Sequence, residues 1–339
     1  MKKLLTVLAV AGLAGSACAQ SSLTLFGVLD VGIARVDGSG VRRTGLSTGG
    51  ANISRLGFRG VEDLGGGLSA GFWLEAGLDV DTGLGKSASG ALAFNRRSTA
   101  SLSGGFGELR LGRDDAATFL NTLIFDPFLT NGVGGNNAFI MLGAPIQQSN
   151  AISYLTPPSL GGFYGQLQVA PGEQPSTAPN RHEGDYAGLR AGYRSGALHV
   201  AAAWGRLHGA TSDTELKIAN AGVSWDFGFV RPSLLWAREE RAAARMTAIE
   251  LGATAPIGPG ELRAQASRYD RADSNADWTK FAIGYGYNLS KRTQLYATVA
   301  HLHNSDGAQR SIGVQGLPAT GTSLGGSSNG YEMGIRHAF

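Results

Sequence analysis

Gly330-Tyr331-Glu332-Met333-Gly334-Ile335-Arg336-His337-Ala338-Phe339 is the stretch whose reading decides the fold. Side chains alternate along an extended chain, so Tyr331, Met333, Ile335, His337 and Phe339 share one face. Glu332, Gly334, Arg336 and Ala338 share the other. One face is apolar with aromatic ends; the other is small or charged. The same alternation recurs along the chain. Leu68, Ala70, Phe72, Leu74, Ala76, Leu78 and Val80 oppose Ser69, Gly71, Trp73, Glu75, Gly77, Asp79 and Asp81. Ala187, Leu189, Ala191 and Tyr193 oppose Gly188, Arg190, Gly192 and Arg194. Phe281, Ile283, Tyr285, Tyr287 and Leu289 oppose Lys280, Ala282, Gly284, Gly286 and Asn288.

The front of the chain sets the compartment. Lys2 and Lys3, the apolar run from Leu4 to Ala14, and Ala17-Cys18-Ala19 make a secretory signal peptide over residues 1–19, cleaved before Gln20. Acylation at Cys18 is disfavoured, because Gly15 stands three residues before it where a Leu-like side chain is wanted. Cys18 is the one cysteine, so the exported chain has no disulfide framework and no cysteine for a zinc site. Rigidity must come from backbone pairing.

Of 29 basic residues, removal of Lys2 and Lys3 leaves 27 against 26 acidic ones. The exported chain is nearly neutral, and its basic residues occur at most in pairs, so nucleic-acid binding has no electrostatic footprint. No apolar run of helix-spanning length follows residue 20. The 52 glycines are too many for a helical protein and suit strands and tight turns. Residues 20–339 show no linker or composition break, which predicts a single domain.

Sixteen strand-like segments can be counted, and their connections alternate in length. Short ones fall at 62–67, 103–107, 157–162, 194–197, 226–229, 256–260 and 288–292. Long ones fall at 37–51, 82–93, 116–149, 171–184, 208–214, 239–245, 271–275 and 304–329. Antiparallel strands with tight turns at one rim and long loops at the other give this rhythm, which a soluble sandwich or propeller does not explain. The fold predicted is all-β: a 16-stranded antiparallel transmembrane barrel. Its last strand closes against the first, at Leu23 to Ala34. Sixteen strands enclose too wide a lumen to fill with side chains, so apolar faces meet lipid and polar faces line water. Tyr193, Trp204, Trp225, Trp236 and Tyr331 are candidates for the interfacial aromatic girdles.

Several motifs resemble those of the general porins, specifically the β-proteobacterial trimeric porin family. They are Ser22-Leu23-Thr24-Leu25-Phe26-Gly27-Val28-Leu29-Asp30, Ser54-Arg55-Leu56-Gly57-Phe58-Arg59-Gly60, Glu62-Asp63-Leu64-Gly65-Gly66-Gly67-Leu68, Phe94-Asn95-Arg96-Arg97, Phe106-Gly107-Glu108-Leu109-Arg110-Leu111-Gly112-Arg113 and terminal Phe339. The resemblance spans the exported chain. It implies an outer-membrane homotrimer passing small hydrophilic solutes and ions by diffusion, in contact with outer-membrane lipid and lipopolysaccharide. It also implies that the third long loop, 116–149, folds inward. Independently, that loop is unusually apolar, with Phe119, Leu120, Leu123, Ile124, Phe125, Phe128 and Leu129.

A pore selects by field. Cationic wall residues facing loop carboxylates sort solutes by charge. By resemblance, Arg55 and Arg96 match wall arginines of the constriction, and alternation also turns Arg55 inward. Alternation allows only one of Arg96 and Arg97 inward; the resemblance favours Arg96. Arg59, Arg190 and Arg194 point inward by alternation alone. Asp126 is the candidate acidic counterpart, with Asp114 and Asp115 weaker ones, and Arg113 is a further lining candidate. For each charge a solvated residue without effect on selectivity is the competing reading. Gln147 stands where porins often carry another wall arginine, so only a weak anion preference is expected, resting on Arg55, Arg96, Arg190 and Arg194. No cofactor is called for. His301 and His303 share a face but lack the carboxylates a metal site would want. Catalysis is not expected, since no nucleophile motif accompanies His182, His199 or His208. A substrate-specific channel is the main alternative, but inward aromatics such as Trp73 and Tyr164 are few. A barrel hydrolase or an adhesin are weaker ones.

Overall fold

The computed structural model describes residues 22–339 apart from 139 and 306, so the predicted signal peptide lies outside the described residues. Eighteen β segments form one sheet that closes on itself. They are β1 (Ser22–Gly38), β2 (Val41–Thr48), β3 (Arg55–Gly65), β4 (Leu68–Asp79), β5 (Leu84–Gly85), β6 (Arg97–Gly104), β7 (Gly107–Asp115), β8 (Gln147–Leu155), β9 (Phe163–Ala170) and β10 (Tyr186–Ser195). Then follow β11 (Leu198–Leu207), β12 (Leu216–Trp225), β13 (Arg231–Arg241), β14 (Ala244–Ile257), β15 (Gly260–Arg271), β16 (Trp278–Asn288), β17 (Thr293–Asn304) and β18 (Ser327–Ala338).

Sixteen of these positions make the barrel. β5 is a two-residue pairing on the end of β4. β2 and β3 together form one barrel strand, because β1 pairs with β2 through Val31–Gly38 and with β3 through Ser22–Val28. Closure follows the register Leu29↔His337, Ile33↔Met333 and Arg35↔Tyr331. Beyond it, Gly27 and Phe339 exchange two backbone hydrogen bonds of 3.1 Å, and the Phe339 ring lies over Gly27, where no side chain would fit. The terminal strand pairs with the first as its pattern predicts.

The wall is inside out relative to a water-soluble protein. Tyr331, Met333 and Ile335 are 47%, 62% and 41% exposed, while Glu332 between them is 4% exposed. Leu25, Ile33, Leu167, Leu251, Phe281 and Ile283 are likewise open on the outer face. In water so much contiguous apolar surface would aggregate; in hydrocarbon it costs nothing. At the short-turn end the outer face turns aromatic. Phe163 meets Tyr193 with ring centroids 4.7 Å apart, Trp225 and Phe229 flank Phe227, and the Tyr154 hydroxyl donates to the Phe106 carbonyl. Of the girdle candidates, Tyr193 and Trp225 join this rim. Trp204 and Tyr331 stand exposed on the wall, and Trp236 is partly covered by Arg238.

Two connections expected to be long are tight turns. β1 runs directly into β2 through Ser39 and Gly40, both with positive φ (49° and 84°), the two-residue hairpin geometry that matches strand twist. β13 runs into β14 through Ala242 and Ala243, with Ala242 at φ 53° and the Arg245 guanidinium 2.9 Å from Glu240 across the hairpin. In both places the polar and charged residues that read as loop are rungs of a ladder extending past the membrane.

The irregularity expected at 37–51 sits instead at 49–54, where β2 breaks from β3. Asp30, fully buried on β1, holds that break. Its carboxylate accepts from the backbone N–H of Gly50 (3.2 Å), Ala51 (2.9 Å) and Asn52 (2.7 Å) and from the Tyr296 hydroxyl (2.7 Å). Asp30→Ala strips four donors, three of them buried, of their acceptor, a loss of roughly 3–5 kcal/mol. Urea unfolding of the refolded protein in detergent should register it, and an unchanged midpoint would show that the break is held by something else.

Candidate functional site

Polar side chains on the inner faces of the strands meet segment 116–146, which leaves β7 and returns at β8. Its single helical turn, α1 (Leu120–Ile124), and the stretch after it touch strand after strand. The Ala117 N–H donates to Gln168 on β9 (2.9 Å), and Thr118 bonds the Tyr186 hydroxyl on β10 (3.1 Å). The Asn121 amide donates to Asn220 on β12 (3.0 Å). The N–H groups of Met141, Leu142 and Ala144 converge on Glu239 of β13 at 2.9, 2.6 and 3.2 Å. The Asn137 N–H donates to Tyr269 of β15 (2.8 Å), Lys280 of β16 donates to the Gly135 carbonyl, and the Val133 N–H donates to Glu332 of β18 (3.0 Å).

Glycines on the strands make room for the segment's side chains. A Cβ on Gly222 would lie 2.1 Å from the Phe125 ring, one on Gly252 2.6 Å from Pro127, and one on Gly330 2.9 Å from Val133. Phe125, Phe128 and Val133 are buried there with Leu235, Met246 and Trp278. These contacts explain the apolar composition of the segment. Gly222→Leu cannot accommodate Phe125 and should release the segment. Trypsin-free proteases with broad specificity, applied to the folded protein, should then cut within 116–146 of the variant only. Equal resistance would mean that the segment is not held by this contact.

The sequence-predicted charges divide into those that meet and those that do not. Arg55 and Arg96 meet, but on Glu75, a residue placed on a polar face without a role. Glu75 lies 3.7 Å from Arg55 Nε and 2.6 Å from Arg96 Nε. Arg96 and Arg97 both reach the inner face, because β6 starts at Arg97 and Arg96 is free of strand alternation. Arg97 lies over the Trp73 ring at 4.5 Å and 3.5 Å from Asp114. Asp114 also takes a 2.5 Å hydrogen bond from Arg110, which is bonded to Glu108 in turn. Asp115 accepts from Gln147 (3.0 Å). Arg113 donates to the Asn95 carbonyl and to Ser149 (2.7 Å). Arg59 stacks between Phe26 and Trp73 at 5.5 and 5.2 Å.

Asp126 stands elsewhere. It is 1% exposed, and its carboxylate accepts from the N–H groups of Phe128 (2.8 Å), Thr130 (2.9 Å) and Asn136 (2.8 Å). Burial pushes this carboxyl up from its ordinary range. These bonds fold the segment onto itself, and the Arg55–Glu75–Arg96 group forms without Asp126, the expected acidic counterpart. Asp-Pro-Phe in a long loop carries the same signature in either role, so sequence alone does not choose between them. Arg190 on β10 donates to Asn121 (2.6 Å) and to the Tyr164 hydroxyl (3.0 Å), and so touches the segment directly. Arg194, nearer the short turn, is exposed and has no ion pair among the described residues.

A closed barrel with an apolar exterior and a polar, arginine-lined interior defines a membrane pore. Residues 5–307 match the model of the Gram-negative porin family, and the chain belongs to that family. It is 39% identical over the full length of both chains to outer membrane porin protein 32 of Delftia acidovorans, and 29% identical to an outer membrane porin protein of Bordetella pertussis, covering 92% of this chain and 98% of that one. Among solved structures it is similar to the anion-selective porin from Comamonas acidovorans, with 37% identity, a TM-score of 0.86, and coverage of 94% of this chain and all of that one. The relatives are channels of the outer membrane, and this chain is an outer-membrane porin.

Because Glu75 sits between Arg55 and Arg96, Glu75→Gln should free both. One charge at about 7 Å in water is worth about 0.6 kcal/mol, favouring an anion and disfavouring a cation, so the anion-over-cation permeability ratio should rise roughly sevenfold. Reversal potentials under a salt gradient measure it directly. No change, or a shift toward cations, would remove this triad from the selective part of the pore.

Proposed function

We propose that the protein is a general diffusion porin with a weak anion preference, that segment 116–146 is the inserted loop narrowing its lumen, and that it works as a homotrimer. One observation carries the sign of the selectivity. The carboxylates in contact with the segment are hidden by it: Asp126, Glu239 and Glu332 are 1%, 1% and 4% exposed. Arg59, Arg194 and Arg231 stay exposed on the inner face without an ion pair among the described residues. A solute therefore meets more positive than negative charge, although Arg55 and Arg96 are partly offset by Glu75. The anion selectivity stated for the Comamonas acidovorans porin supports this sign.

In this reading Arg55, Arg96 and Arg97 set the field at the narrowing, and Asp126 shapes the loop instead of opposing them. Asp114 and Gln147 hold neighbouring charges in place, and Arg59, Arg113, Arg190 and Arg194 continue the basic lining. The working protein is residues 20–339 after removal of 1–19, with its outer face against lipid and lipopolysaccharide. Refolded protein in planar bilayers under a salt gradient should open in steps of three with a modest anion-favouring reversal potential. The potential should fall as ionic strength rises, because exposed charges are screened. Absence of ohmic steps at every voltage would overturn the reading, and a cation-favouring potential would overturn its sign.

A further inference from the structure

Toward the short-turn end of the lumen, away from the Arg55–Glu75–Arg96 group, one patch of wall combines cations with hydroxyl donors. The register runs Arg194↔His199 between β10 and β11, His199↔Ser224 between β11 and β12, and Ser224↔Ser233 between β12 and β13. These four residues therefore lie side by side in one row across about 14 Å, at 4.8 Å per strand. Arg231 lies two residues further along β13 on the same face.

The row faces inward. Its neighbours two residues along, Ala201, Gly222 and Leu235, lie on the buried side of their strands, and Phe125 of the loop packs on Gly222 and tilts against the His199 ring with centroids 5.1 Å apart. The His199 Nε2 lies 2.7 Å from the Tyr164 hydroxyl, and the row itself holds no carboxylate. Neither Arg194 nor Arg231 has an ion pair among the described residues, whereas Arg97 on β6, Arg110 on β7 and Arg263 on β15, also on the inner face, are each paired with a carboxylate.

Uncompensated guanidiniums beside serine hydroxyls are the donor set that oxyanions select. A multivalent oxyanion accepts several charge-assisted hydrogen bonds at once, while chloride gains mainly from net charge. Resting on the pore proposed above, we infer that Arg194, His199, Ser224, Arg231 and Ser233 form a subsite for multivalent oxyanions such as phosphates and organic phosphates. It would hold them briefly beside the narrowing and distinguish them from monovalent anions of similar size. Selection between anions would then reside here, and selection between anions and cations at the narrowing.

Pyrophosphate is a direct probe. Added to bilayers in potassium chloride, it should reduce the chloride current through the wild-type pore. The Arg194→Ala/Arg231→Ala variant should need roughly tenfold more for half-block, and Ser224→Ala/Ser233→Ala roughly two- to threefold more. Both arginines are exposed and unpaired, so their removal leaves no buried group without a partner. Arg268→Ala, on the outer face and paired with Asp270 at 2.7 Å, removes a charge without touching the row and should leave the block unchanged. Block of the arginine variant at the wild-type concentration would overturn the subsite, as would an equal effect of Arg268→Ala. A wild-type pore that conducts yet ignores pyrophosphate would also overturn the subsite alone. A wild-type protein without ohmic conductance would overturn the pore reading as well.

Discussion

A backbone N–H facing hydrocarbon has no water to turn to, and this constraint governs the chain from Ser22 to Phe339. Every strand must find a partner on each side, and the first and last must find each other. The pairing of Gly27 with Phe339 through both backbone groups is where that requirement is met last. Gly27 is needed there because the Phe339 ring occupies the space a side chain would take. Once the ring of strands is closed, side-chain alternation has only one consistent orientation. Apolar residues go to lipid, and charged residues are forced together inside.

Concentrating polar residues inside creates the next problem, which segment 116–146 resolves. Glu239, Glu250, Lys280 and Glu332, on β13, β14, β16 and β18, have too few counter-charges among themselves. The segment brings N–H donors to Glu239 and Glu332, and its Gly135 carbonyl to Lys280. Its apolar side chains fill notches left by Gly222, Gly252 and Gly330. Neither half of this arrangement suffices alone: the glycines give shape without energy, and the carboxylates give energy without shape. Asp126 completes it by tying the segment's own backbone together at Phe128, Thr130 and Asn136.

Much of this architecture can be read from the sequence because the barrel leaves a period-two signal in every strand. Tyr331, Met333 and Ile335 announce the lipid face, and Arg55, Trp73 and Arg190 the lumen face. What stays hidden is everything that depends on tertiary position. Polar residues at 37–51 and 239–245 read as loops, because nothing local separates a solvated ladder from a solvated loop. Pairing partners are equally non-local: Glu75 is 20 residues from Arg55 and 21 from Arg96 in the chain, and only the β3–β4 register and the approach to β6 join them. Asp126 shows the limit most clearly. Its carboxylate could have faced the pore or its own backbone, and three N–H groups decide the matter only once the loop is folded.

Selectivity in such a pore then depends less on how many charges line it than on which are left uncompensated. The sequence carries nearly equal numbers of acidic and basic residues, so composition alone predicts little preference. Folding breaks that balance. Carboxylates are short, accept backbone N–H groups readily and are taken up in holding the loop; guanidiniums are long, lie over aromatic rings such as Trp73 and Tyr164, and keep their charge toward water. The same chemistry that fastens the loop therefore removes negative charge from the water path and leaves positive charge on it.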